Sequence, residues 1–132
     1  MNIALWIIQA LLALAFLLAG GMKLAMPIDT LLANGMTVVE HMPAALVRFI
    51  GLSEVAGAVG LILPAALRIK PKLTPIAAGA LAFVMVLAAI THLALGEAFG
   101  APLMLGSLAA FVAWGRSTKQ TIAPRELVGA RA

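Results

Sequence analysis

Cysteine and tyrosine are both absent from this sequence. Without cysteine there can be no disulfide, thiolate nucleophile, iron–sulfur cluster or cysteine-type zinc site. Without tyrosine, one usual radical or general-acid partner is gone. Charge is scarce as well: 11% of the residues are charged, against about 25% in a soluble domain. No basic stretch is interleaved with aromatics, so a nucleic-acid partner is not expected despite the net charge of +4. The glycines lie inside hydrophobic runs rather than in a phosphate-cradling loop. No catalytic motif, tight metal-ligand spacing, internal repeat or low-complexity segment is present.

What is there is apolar. The sequence is 64% hydrophobic, where a soluble chain holds about 45–50%. The expected fold is therefore an all-α membrane protein in one compact domain. Its organising stretch is residues 49–64, FIGLSEVAGAVGLILP, a glycine-rich run with one carboxylate, Glu54. Ten Leu, Ile, Phe and Val side chains between Leu46 and Leu63 favour insertion by roughly 3–6 kcal/mol together. One mid-helix acid costs about 2.5–3.5 kcal/mol on the same scale. This helix inserts comfortably only with Glu54 facing protein.

Four apolar segments follow from the hydropathy pattern. Residues 3–22 are long enough to cross a hydrocarbon core. A cleaved signal peptide is the rival reading, disfavoured by the missing basic flank and by an apolar run longer than usual. Gln9, Ala13, Phe16, Gly20 and Lys23 share one face of this helix, expected to point inward. Residues 27–42 predict a short amphipathic helix in the membrane interface, with Ile28, Leu31 and Leu32 on one side, Asp29 as a cap and Asn34-Gly35 as a stop. Thr37-x-x-Glu40 matches a capping box, but Pro43 follows too soon and suits the first turn of the next helix. The second segment spans 44–67, and its Ser53, Gly57, Gly60 and Pro64 stripe lets a neighbouring helix approach closely; Glu54, Ala58, Leu61 and Ala65 form an adjacent stripe. Thr74-Pro75 reads as the N-cap and first residue of the third segment, which continues to 95 with Ala78, Leu81, Met85, Ala88 and His92 on one face. The fourth covers 101–115, with Trp114 at the interface level.

Residues 1–116 are accordingly read as a four-helix transmembrane domain and 117–132 as a basic cytoplasmic tail, loosely ordered at its end. With four spans, Arg68, Lys70, Lys72, Arg116, Lys119, Arg125 and Arg131 share a side with both termini, while only Lys23 and Arg48 lie near the other. The positive-inside rule then places both termini in the cytoplasm. Glu54 sits about 15 Å below the outer surface at 1.5 Å per residue.

Lys23, Glu54, His92, Gln9, Thr91 and Glu97 are the candidate ligand-binding residues. They are expected to line one polar pocket in the outer half, roofed by the connection 27–42. The packing residues are Gly20, Ser53, Gly57, Gly60 and Ala78. Structural readings stand beside these: Lys23 snorkelling to headgroups, Glu54 paired only to hold helices together, and His92 a satisfied interfacial histidine. Arg48, near a helix end, is expected to face headgroups. Haem ligation would need two inward histidines, and His41 lies in a loop. A metal on His92, Glu54 and Glu97 has no tight spacing signature. A Ser53–His92–Glu triad would need a positioned nucleophile, where the small-residue stripe explains Ser53 more simply.

Gly20-Gly21-Met22-Lys23-Leu24, Ile50-Gly51-Leu52-Ser53-Glu54-Val55-Ala56-Gly57, Thr91-His92-Leu93 with Gly96-Glu97, and Ala113-Trp114-Gly115-Arg116, taken in order, resemble the DoxX-like family. The resemblance implies a small integral membrane protein of bacterial plasma membranes. Relatives are linked to quinone-coupled sulfur oxidation, to a membrane redox complex and, in a distant animal branch, to receptor assembly. It supplies no catalytic residues to transfer. The functional expectations are three: a non-catalytic subunit of a quinone-linked redox assembly, whose pocket takes a quinone headgroup or similar amphipathic ligand; an assembly protein whose polar groups are structural; and a small-solute transporter acting as a dimer. The expected partners are the lipid bilayer, membrane redox subunits and a second copy of the chain.

Overall fold

Leu5, Gln9, Leu12, Phe16 and Gly20 recur at spacings of three and four, and a helix that buries them turns the aliphatic remainder outward. In the computed structural model, which describes residues 1–126, that helix is α1 (Asn2–Ala25), and those five residues are its buried ones. The expected inward face is recovered, with Leu12 buried more deeply than Ala13. The chain then forms a short α2 (Ile28–Ala33), a 3₁₀ turn over Thr37–His41, α3 (Ala44–Leu67), α4 (Leu73–Ala94) and α5 (Gly100–Trp114), which continues as a π-helical turn through Gly115–Lys119. There is no strand among the described residues.

α2 lies inside the connection where a short helix was expected, and Asn34-Gly35 ends it. Gly35 takes φ +90°, its N–H donates to Leu32 O at 3.0 Å and the Met36 N–H donates to Leu31 O at 3.0 Å. That pair of bonds is the Schellman closure, which needs a left-handed residue after the helix. Asp29 does not cap: Pro27 occupies the cap position and no side chain bonds there. Beneath this connection Leu31, Val39 and Val47 form a small apolar cluster with Met22 and Met26.

The main core draws on all four long helices: Leu5, Leu12 and Phe16 from α1, Ala58 and Leu61 from α3, Ala78, Leu81 and Met85 from α4, and Ala109 and Val112 from α5. α1 packs on α3, α3 on α4, α4 on α5, and α5 touches α1, which closes a ring. Two crossings need glycine because a Cβ has no room there, against a backbone carbonyl at the first and a packed side chain at the second. A Cβ at Gly20 would lie 2.7 Å from the Gly51 carbonyl oxygen, and a Cβ at Gly57 would lie 2.6 Å from the Leu81 side chain. Gly57 and Gly60 of the predicted packing stripe therefore accommodate α4 of the same chain. Ser53 lies outside that contact, its hydroxyl donating to Phe49 O of its own helix at 2.9 Å.

Pro64 explains one further bond, beside which a second lies. Lacking an N–H, it leaves the Gly60 carbonyl without its helical donor. Thr74 Oγ1 of α4 donates to that oxygen at 3.1 Å, and Gln9 Nε2 of α1 donates to the next carbonyl, Leu61 O, at 2.6 Å. The Thr74 hydroxyl, from a neighbouring helix, thus satisfies the carbonyl that the proline frees, as is needed where water is excluded. Thr74 is therefore not the cap the Thr-Pro pair suggested; α4 begins at Leu73, with Lys72 in the cap position.

α1, α3 and α4 are each long and apolar enough to cross a membrane, at 24, 24 and 22 residues with mean hydropathy 2.4, 1.8 and 2.3. Their outward faces carry exposed aliphatic and aromatic side chains such as Ile3, Ile7, Leu11, Phe49, Phe83 and Ile90. A continuous apolar exterior of this kind suits lipid rather than water.

Candidate functional site

The predicted site residues fall into three places. The first is the crossing of α1 and α3. Closest approach at Gly20 and Gly51 brings Lys23 one turn past the contact on α1 and Glu54 one turn past it on α3. Lys23 Nζ donates to both Glu54 oxygens, at 3.0 and 2.8 Å, and the Glu54 side chain is only 3% exposed against 18% for Lys23. Glu54 thus faces protein, as the insertion cost required. Both carboxylate oxygens are engaged by one ammonium, a closed ion pair.

Arg48 completes this corner, and it corrects the expectation that it faces headgroups. Its Nη1 donates to Lys23 O and, at 2.6 Å, to Met26 O. Those are carbonyls of the last turn and cap of α1, which have no intrahelical donors and carry the negative end of the helix dipole. A cation from α3 caps α1 while a cation from α1 neutralises α3. Nothing in the spacing of Arg48 announces this, because the geometry exists only once the two helices cross.

The second place is the α4–α5 turn. Gly96 at φ +71° closes α4 in the same manner as Gly35 closes α2: Gly96 N–H donates to Leu93 O at 3.1 Å and Glu97 N–H to His92 O at 2.8 Å. This folds Glu97 back over His92, whose Nδ1 donates to Glu97 Oε2 at 3.0 Å. An ionised carboxylate has no proton to give, so the imidazole nitrogen carries it. Thr37 Oγ1, from the 3₁₀ turn, donates to Glu97 Oε1 at 2.6 Å. The Thr37 hydroxyl first, and His92 after it, hold the Glu97 carboxyl below the usual range. Thr91 takes no part: its hydroxyl donates to Leu87 O of its own helix at 2.8 Å. Among the described residues no hydrogen bond or ion pair links this cluster to Lys23 and Glu54.

The third place is the opposite end of the bundle, and it holds Gln9. The amide that donates to Leu61 O also accepts from Arg116 Nε at 2.6 Å. Arg116 Nη1 donates to Asn2 Oδ1 at 2.7 Å and to Gln120 O at 3.2 Å, and its guanidinium carbon lies 5.0 Å from the centre of the Trp6 ring. Arg116 is 4% exposed. The π-helical turn delivers it: the Gln120 N–H reaches back five residues to Gly115 O at 2.8 Å. Gly115 admits the close pass, since a Cβ there would lie 2.8 Å from Leu5. Sequence reasoning read Arg116 as an orientation marker and as the end of a stretch resembling the family, not as a buried group. The available signal was the pair Asn2 and Gln9, seven residues apart and so on one face of α1, offering two amide acceptors to the end of the last helix.

No group of three or more metal-ligating side chains occurs among the described residues. The family model described as the DoxX-like family matches residues 7–115. No curated protein and no solved structure matches the chain.

Proposed function

The chain belongs to the DoxX-like family of membrane proteins, and from that premise we propose that it is a non-catalytic, multi-pass subunit of a plasma-membrane assembly whose buried charges serve its own fold. The single observation behind this reading is the closed Lys23–Glu54 pair. A carboxylate kept in an apolar helix demands a purpose, and here both of its oxygens already accept from Lys23, pinning α1 to α3. A quinone headgroup between Lys23, Glu54 and His92 would have to displace that contact, which weighs against the ligand pocket. The link to a redox assembly rests on family likeness.

The topology we propose has four spans: α1, α3, α4, and α5 lengthened by its π-helical turn. α2 lies in the interface. Both termini are cytoplasmic, because Arg68, Lys72, Arg116 and Arg125 gather at one end: Lys72 and Arg116 line a common cleft, and the Arg125 N–H donates to Arg68 O at 2.7 Å. Residues 117–132 are the basic tail of this arrangement; its described part returns to Arg68, whose Nε donates to Ala123 O at 2.9 Å. The expectation of loose order at the chain's end falls on residues 127–132, outside the described residues.

Cross-linking in native membranes tests the proposal. The wild-type chain should capture a membrane partner, and so should the paired variant Lys23→Met with Glu54→Leu, whose helices stay packed without charge. Loss of the partner in the paired variant while it remains folded, or tight quinone binding that Glu54→Gln abolishes, would replace this reading with the ligand one.

A further inference from the structure

Arg116 is a buried cation whose hydrogen-bond partners among the described residues are all neutral. Its acceptors are the amides of Gln9 and Asn2 and a backbone carbonyl, and among the described residues no carboxylate pairs with it. Its second terminal nitrogen, Nη2, is buried with no hydrogen-bond partner among the described residues. A buried charged donor left unsatisfied is expensive, and native structures retain one chiefly where something else completes it.

A half-open cleft of about 330 Å³ adjoins it, lined by the α3–α4 turn (Pro71, Lys72), the first turn of α4 (Pro75), the π-helical turn (Arg116) and the returning chain (Thr121, Ile122). The lining thus combines one buried guanidinium, one ammonium and two hydroxyls, those of Ser117 and Thr121, with apolar walls. Among the described residues no acidic side chain lines it. The end of the bundle that carries it is also where the basic residues collect.

We propose that this cleft binds a phosphate-bearing anion, with the Arg116 guanidinium as the buried donor and Lys72 as the second cation at the rim. A guanidinium is suited to this because its planar N–H groups match phosphate oxygens, and basic pockets between helices on the cytoplasmic side take anionic lipid headgroups. The phosphate could arrive as a lipid headgroup or as a free ion; both present the same oxygens.

The test uses the full chain in detergent, with retained lipid counted by native mass spectrometry after exposure to equal amounts of phosphatidylglycerol and phosphatidylcholine. The wild type should retain phosphatidylglycerol in preference, and Lys72→Gln should lower that preference about fivefold, the contribution of one cation near an anionic surface. Lys70→Gln, at an exposed basic residue outside the cleft lining, should leave it within about twofold, as expected of a solvent-screened charge. Arg116→Gln should abolish it; if that variant fails to fold, the two lysine variants still decide. Competition by millimolar inorganic phosphate identifies the free ion as the ligand, and insensitivity to it identifies the headgroup. Equal retention of the two lipids, or equal losses in Lys70→Gln and Lys72→Gln, overturns the proposal, because general surface attraction would then suffice.

Discussion

The two ends of the bundle handle buried charge in opposite ways. At the α1–α3 crossing, Lys23 neutralises Glu54 and Arg48 caps the end of α1, so charge and helix dipole are both answered within the chain. At the other end Arg116 leans on two amides and an indole face and meets no countercharge among the described residues. The first arrangement is complete and rigidifies the fold. The second leaves positive potential beside an open cleft. A buried ionisable group thus marks function less reliably than the state of its partners does, and here the residue with an unfilled donor is the more informative one.

The largest effect should come from opening the complete end. Lys23→Ala leaves Glu54 buried and unpaired and should cost about 3–5 kcal/mol in an unfolding titration. Glu54→Gln should cost less, about 1–2 kcal/mol, because Lys23 is already near the helix end and can reach headgroups. Equal costs would show that the pair is not asymmetric in burial. Next in size is the backbone contact supporting that pair. Gly20→Ala should destabilise by about 1–3 kcal/mol, since its Cβ meets a carbonyl that cannot swing aside, whereas Gly79→Ala, with nothing within 4 Å of its Cβ, should be neutral or better in the same titration.

Smaller effects probe the middle and the rim. Thr74→Val should cost about 0.5–1.5 kcal/mol in the wild type and less in a Pro64→Ala background, where residue 64 regains the N–H that serves Gly60 O; the double-mutant cycle measures that difference. The least effect belongs to the Thr37–Glu97–His92 tether. The folded Glu97 carboxyl sits below its ordinary value near 4.5, so its contribution is present above that value and is lost as pH falls through the lower folded one. A carbon-13 titration of the Glu97 carboxyl should show a depressed midpoint that rises toward the ordinary value in Thr37→Val. No change in that variant would contradict the hydrogen bond as the main cause.

Much of the architecture was legible in sequence because apolar periodicity and turn chemistry are local. The inward face of α1, the stripe from Ala78 to His92, the stop at Asn34-Gly35 and the protein-facing position of Glu54 all follow from spacing and insertion cost. What sequence reasoning did not supply was pairing across helices. Arg48 and Thr74 each serve carbonyls of another helix, and their roles depend on crossing geometry and on the N–H that Pro64 lacks. Gln9 was placed on the correct face of α1, yet about fourteen residues, some 21 Å of helix, separate it from Lys23, so the two could not share a site. The buried position of Arg116 depends on a local widening of the last helix into a π turn, which hydropathy does not encode.

The most direct measurement is the complete stability cycle over Lys23→Met and Glu54→Leu. If the pair serves to fasten α1 to α3, the double variant should lie within about 1 kcal/mol of the wild type or above it, although Lys23→Met alone is strongly destabilised. Single costs that simply add in the double variant would mean that the two groups act independently, and the fastening role would be lost.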